Sequence, residues 1–107
     1  MNNILRTSVE LAMIASLACA VCFAQSSGEA VYKAKCMNCH GPTGLANSGI
    51  GKLMKVKPVT DPEVKKFTEA EMIDLVRNGM GKMQPYKDEL TAAQIKASVD
   101  YFRTFIK

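Results

Sequence analysis

Most of the reactive chemistry of this 107-residue chain sits in five consecutive residues, Cys36-Met37-Asn38-Cys39-His40. A CxxCH run is the attachment motif of c-type haem. Two thiols three residues apart on one helical turn can each add to a vinyl group of the porphyrin. The imidazole directly after the second thiol is then placed below the iron. A thioether link also keeps the cofactor from diffusing away in an exported compartment. His40 is the single histidine of the chain, and after residue 24 Cys36 and Cys39 are the only cysteines. Thiol–disulfide exchange would call for a thioredoxin-like alternation of strands and helices around the motif, which the sequence lacks. A structural zinc site needs four ligands, and the mature chain supplies three such groups in this run and no further Cys or His. Haem c is therefore the expected cofactor, one per chain, with Cys36 and Cys39 as covalent anchors and His40 as an axial iron ligand.

The opposite face of the iron calls for a second ligand. Methionine offers a soft, neutral sulfur that stabilises ferrous iron and raises the reduction potential. Met37, between the two cysteines, cannot reach that face. Met72 lies on the apolar stripe of a helix, where packing is the ordinary role of methionine. Met54 stands in a loop shortly after His40 and is poorly placed. Met80 and Met83 share the later loop from Asn78 to Tyr86. Gly81 frees the backbone before Met83, and Gln84-Pro85 imposes an extended chain after it. Met83 is the expected ligand, with Met80 as the alternative.

Caps and apolar periodicity mark the elements that must hold these groups. Glu29 to Cys36 contains good helix formers and follows Ser26-Ser27-Gly28 as caps. From Gly41 to Phe67 the chain is rich in Gly and Pro and no helical period persists, apart from a short turn at Gly49–Met54 and a turn start at Asp61-Pro62. So long a loop in a small domain is usually functional or wrapped around something. Thr68-Glu69-Ala70-Glu71 is a capping box; the helix that it opens carries Met72, Ile73 and Val76 on one face and stops at Asn78-Gly79. Thr91 to Gln94 repeats the box and starts a last helix, striped by Ile95, Val99, Phe102 and Ile106. No window alternates like a strand. The class is all-α, with three helical segments, a long irregular middle and no internal repeat.

Composition sets the frame. Hydrophobic residues make up 48% and charged ones 22%, which is globular rather than disordered. The net charge of +4 favours acidic partners. The longest cationic run is only Lys65-Lys66, without the dense basic cluster and stacking aromatics of a nucleic-acid surface. Leu11 to Phe23 is a short run of apolar or small residues after a polar start with Arg6, and Ala24 follows it. This reads as a signal peptide over residues 1–24, too short for the ~20 apolar residues of a membrane span. Cys19 and Cys22 would leave with it. Residues 25–107 then form one exported domain, small enough to need help from a cofactor, a metal or a disulfide.

The stretches GEAVYKAKCMNCHG, TEAEMIDLVRNGMGKMQPY and LTAAQIKASVDYFRTF together resemble small bacterial monohaem c-type cytochromes of the class I fold. The resemblance covers more than half of the mature chain. It implies three to five short helices wrapped around one covalently bound haem, His and Met axial ligation, and single-electron transfer. Gly28, Tyr32 and Tyr101 match positions where the family's first and last helices cross. Ser98 replaces a large aliphatic residue there, which predicts a looser or shifted crossing. Relatives commonly orient the ligand imidazole through the carbonyl of a loop Pro, whereas here Pro42 comes only two residues after His40.

The function expected on these grounds is a soluble periplasmic electron carrier, not an enzyme. A peroxidase-like or gas-binding protein would need an open iron site with distal acid–base groups, and no second histidine supplies one. Lys52, Lys82 and Lys87 are expected to form a basic rim that steers redox-partner proteins with an acidic docking face. Membrane contact is expected only through membrane-bound redox partners. Replacing both cysteines (Cys36→Ala with Cys39→Ala) should abolish covalent haem and leave the mature chain largely unfolded by circular dichroism.

Overall fold

Five of the six helices among the described residues begin where a short polar side chain takes up an orphan backbone N–H. The computed structural model describes residues 27–107. The leader read over residues 1–24, with Cys19 and Cys22, lies outside the described residues. The helices among the described residues are α1 (Gly28–Lys35), α2 (Met37–His40), α3 (Gly49–Leu53), α4 (Pro62–Lys66), α5 (Glu69–Asn78) and α6 (Ala92–Arg103). Ser27 accepts from the N–H of Ala30, Ser48 from Gly51 and Asp61 from Glu63, which starts α1, α3 and α4. Thr68 and Thr91 form full capping boxes with Glu71 and Gln94 at the starts of α5 and α6. Among the described residues there is no strand, only one isolated antiparallel bridge between Met80 and Met83.

The six helices among the described residues exceed the three to five that the resemblance implied. Two come from the middle segment, where single capped turns at Ser48 and Asp61 become α3 and α4. A third comes from a break at Cys36 (φ −113°, ψ −36°), which separates α2 from α1. The last helix ends at Arg103, so Ile106 falls beyond it.

The architecture rests on α1 crossing α6. A Cβ on Gly28 would lie 2.1 Å from the Ala97 carbonyl oxygen and 3.3 Å from Tyr101 Cβ, so only glycine permits the approach. The crossing is therefore close, not loose as Ser98 had suggested. Ser98 is buried, and its hydroxyl donates to the Ile95 carbonyl at 2.8 Å within its own helix. A small, internally satisfied side chain lets the helices draw together.

Two apolar clusters flank the crossing. On one side Val31, Leu90 and Ile95 are buried, with Ile73, Val76 and Tyr86 packed against them. On the other, Tyr32 meets Tyr101, Phe105 and Phe102 at ring-centroid distances of 5.3, 5.8 and 6.2 Å. Helix α5 packs on α6 through buried Met72, whose Sδ lies 3.7 Å from Arg103 Nη1; the same Nη1 donates to the Phe67 carbonyl at 3.0 Å. Met72 is a core residue, as its place on the stripe implied.

Gly28→Ala should destabilise the holoprotein by about 1–3 kcal/mol, the usual cost of overpacking, despite the better helix propensity of Ala. A lowered urea midpoint with an unchanged slope would register it.

Candidate functional site

Helix α1 delivers the CxxCH run. The break at Cys36 lets its N–H stay bonded to the Tyr32 carbonyl at 2.8 Å while its own carbonyl accepts from the N–H groups of Cys39 at 3.3 Å and His40 at 3.0 Å. Cys36, Cys39 and His40 thus share one turn, as the spacing predicted. Both cysteines are free and half-buried. Burial, with a smaller contribution from Cys39, pushes the Cys36 thiol up to about 11, so it stays protonated at neutral pH. Disulfide-exchange chemistry needs the opposite shift.

The turn after the motif is pinned on both sides. His40 accepts at its carbonyl from Ala46 N–H at 2.8 Å, and Ala46 takes a left-handed φ of 52° to do so. The Tyr32 hydroxyl donates to the Gly41 carbonyl at 2.6 Å. Gly51 brings α3 onto α2; a Cβ there would lie 2.4 Å from the Cys39 carbonyl oxygen and 2.7 Å from that of Ala46. Ser48 Oγ donates to the Asn38 carbonyl at 2.8 Å.

The His40 ring is held differently. Its Nδ1 is buried without a hydrogen-bond partner, so no loop carbonyl orients it. Pro42 is exposed. Burial lowers the imidazole pKa, which keeps the ring neutral and its nitrogen lone pair available. The ring stands edge to face with Phe102, centroids 5.4 Å apart at 65°.

Met83 lies in a tight turn. Met80 and Met83 exchange both backbone hydrogen bonds, at 3.0 and 2.9 Å, around Gly81 with φ 58°. The two side chains of such a directly opposed pair share one face. Met80 is 57% exposed, whereas Met83 is half-buried. Gly79 (φ 78°) allows the returning chain to pass close, since a Cβ there would lie 2.8 Å from the Met83 carbonyl oxygen and 2.9 Å from Pro85 N. Tyr86 and Lys87 then donate N–H groups to the Val76 and Arg77 carbonyls of α5, at 3.0 and 3.2 Å. The Tyr86 hydroxyl reaches the Lys35 carbonyl at 3.1 Å and ties the loop to α1. Met37 and Met54 are half-buried beside α2 and α3.

The residues present fit a covalently anchored haem. Among the described residues no three His, Cys, Asp or Glu side chains converge as a metal-ion cluster; Cys36, Cys39 and His40 therefore do not close on a common point, as zinc would require. Two free thiols and a buried neutral imidazole with an unpartnered ring nitrogen suit a flat macrocycle. Leu45, Ile50, Leu53 and Met80 remain exposed, apolar surface that a large hydrophobic cofactor can use. Lys33, Lys35 and Lys57 pair with Glu29, Glu89 and Glu63, whereas Lys52, Lys82 and Lys87 form no ion pair among the described residues.

Two positioning contacts were missed in the sequence. The Tyr32–Gly41 bond carries no motif, and the Phe102–His40 contact was visible only as one position in an apolar stripe. Tyr32 is 1% exposed, and burial first, then the nearby Cys36, raises its phenol well above the ordinary value of about 10. A raised acid pKa contributes stability below pH ~10 that is lost as the pH climbs further, because the unfolded chain releases its proton first. Tyr32→Phe should cost about 1–2 kcal/mol at neutral pH by stripping Gly41 of its donor, and should flatten the alkaline decline. Urea midpoints across the alkaline range measure both.

The family described as cytochrome c oxidase, cbb3-type, subunit III matches residues 23–102. Among solved structures, the KustC0563 c-type cytochrome is similar at 28% identity and a TM-score of 0.69, over 77% of this chain and 100% of its own. A tyrosine-to-phenylalanine variant under the same name is similar at 27% identity and a TM-score of 0.66, over 75% of this chain and 99% of that one. No curated protein matches the chain at a significant level. With a family match over most of its length and a solved c-type cytochrome of the same helical fold, the chain belongs to this cytochrome c family and binds haem c covalently.

Proposed function

We propose that the chain is a periplasmic one-electron carrier whose haem is held by Cys36 and Cys39 and ligated axially by His40 and Met83. Residues 1–24 act as the export signal and residues 25–107 as the carrier domain. The observation that carries the reading is the pairing of two half-buried free thiols with a half-buried imidazole, its Nδ1 buried and unpartnered, on one turn that follows α1. Bound there, haem c supplies reversible ferrous–ferric chemistry.

The protein's own contribution is to hold and shield. Cys36 and Cys39 fix the ring edge, and the pinned turn from His40 to Ala46 keeps the proximal side still. The Met80–Met83 turn, tied back to α5 and α1, presents Met83 as a preorganised soft ligand. With both axial positions filled and no second histidine in the chain, an open, enzyme-like iron site is disfavoured. The unpaired Lys52, Lys82 and Lys87 form a basic rim that draws an acidic redox partner into short-lived encounters. Among the described residues no helix is long and apolar enough to cross a membrane. The proposed membrane contact runs through membrane-bound partners, for which an oxidase of the kind named in the family description is a fitting acceptor.

The test is the axial ligand. Met83→Ala should lose the sulfur-to-iron charge-transfer band of the ferric form. The ferrous preference should fall at least tenfold, about 59 mV for one electron. The same variant should gain affinity for carbon monoxide and some peroxidase activity. Met80→Ala should change none of these. The opposite pattern would transfer the ligand role to Met80, and a wild type that binds carbon monoxide readily would favour a sensor or enzyme.

A further inference from the structure

The buried Nδ1 of His40 has no hydrogen-bond partner, yet the ring needs something to fix its rotation. Metal-bound imidazoles usually gain orientation from an acceptor on the second nitrogen. Here the directional contact of the ring is instead an edge-to-face one with Phe102, at 5.4 Å and 65°. Phe102 cannot retreat from it. Tyr32 stacks on Phe102 at 6.2 Å and 26°, and Tyr32 is itself anchored through its hydroxyl to Gly41, the residue after His40. On another side Gly44 and Val59 close in: a Cβ on Gly44 would lie 3.2 Å from Phe102 Cε2 and 3.1 Å from Val59 Cβ. Val59, which donates its N–H to the Gly44 carbonyl at 2.7 Å, is 1% exposed. The brace therefore runs from α6 through Phe102 to the ring, with α1 and the middle segment behind it.

We propose that Phe102 is the positioning residue for the His40 imidazole, setting by aromatic packing the rotation that an acceptor on Nδ1 would otherwise set. The proposal rests on His40 being an axial ligand. It has an electronic consequence. An Nδ1–H that is not shared with an acceptor leaves the imidazole a weaker donor to iron, which favours the ferrous form. Removing the Phe102 ring would free the imidazole to turn and would let water reach Nδ1–H and accept a hydrogen bond from it. Donation would rise and the ferrous preference would drop.

The experiment compares the holoprotein with Phe102→Leu, which removes the ring, and Phe102→Tyr, which keeps it. Thr91→Ala, which removes the N-cap of α6 at the end far from Phe102, serves as a destabilised control remote from the imidazole. The readouts are the ferric electron paramagnetic resonance anisotropy and haem-methyl proton shifts, both sensitive to the plane of the axial imidazole, and the reduction potential. Phe102→Leu should move the spectra and lower the ferrous preference at least threefold, about 28 mV at 59 mV per decade. Phe102→Tyr and Thr91→Ala should leave both near wild type. Should Phe102→Leu yield no holoprotein, Phe102→Met takes its place with the same expected shifts. A lowered unfolding midpoint with unmoved spectra and potential would reduce Phe102 to a packing residue and overturn the proposal. A wild type whose ferric form is not low-spin would instead overturn the axial reading on which the proposal stands.

Discussion

The contact on which the rest of the structure depends is the approach of Gly28 to the Ala97 carbonyl. No side chain other than hydrogen fits between α1 and α6 at that point. Because α1 lies so close, Tyr32, one turn on, enters the aromatic group of α6 and reaches the Gly41 carbonyl with its hydroxyl. The residues between these two anchors are Lys33 to His40, and they include the whole attachment run. A glycine at one end of a helix thus determines where two thiols and an imidazole stand at the other. Ser98 serves the same approach, since it fills little space and returns its hydroxyl to its own helix.

The apolar groups are distributed as though a third body were to share the core. The fully buried set among the described residues is small, and its largest members are Tyr32, Ile95 and Val59. Much of the remaining apolar surface, at Leu45, Ile50, Leu53 and the methionine turn, stays accessible. A domain of this size gains too little from its own side chains to offset chain entropy comfortably. A covalently tethered macrocycle supplies the missing hydrophobic area without the entropic penalty of repeated binding.

What could be read from the sequence divides along a physical line. Local rules held where the deciding atoms are near neighbours: both capping boxes, the stop at Gly79 and the placement of Cys36, Cys39 and His40 on one turn follow from residues within four positions of each other. The backbone freedom used at Gly81, with φ 58°, was likewise legible from its residue type. The short helices α3 and α4 were visible only as turn starts, because a single capped turn has no apolar period. The closeness of the α1–α6 crossing was misjudged, since Ser98 was weighed by the volume it lacks and not by the approach that it permits. Phe102 against His40 joins residues 62 apart in number, and no local pattern encodes such a meeting.

The loop from Gly79 to Tyr86 borrows its anchorage from the helix that precedes it. The last carbonyls of α5, at Val76 and Arg77, are capped by the N–H groups of Tyr86 and Lys87, which come from the far end of that loop. Fraying of the helix terminus and release of the loop are therefore coupled openings, since each breaks the same two hydrogen bonds. The methionine turn cannot swing out at its Tyr86 end without leaving these α5 carbonyls uncapped. Any partner or condition that loosens the final turn of α5 acts on the loop at a distance, through the backbone and without touching either methionine.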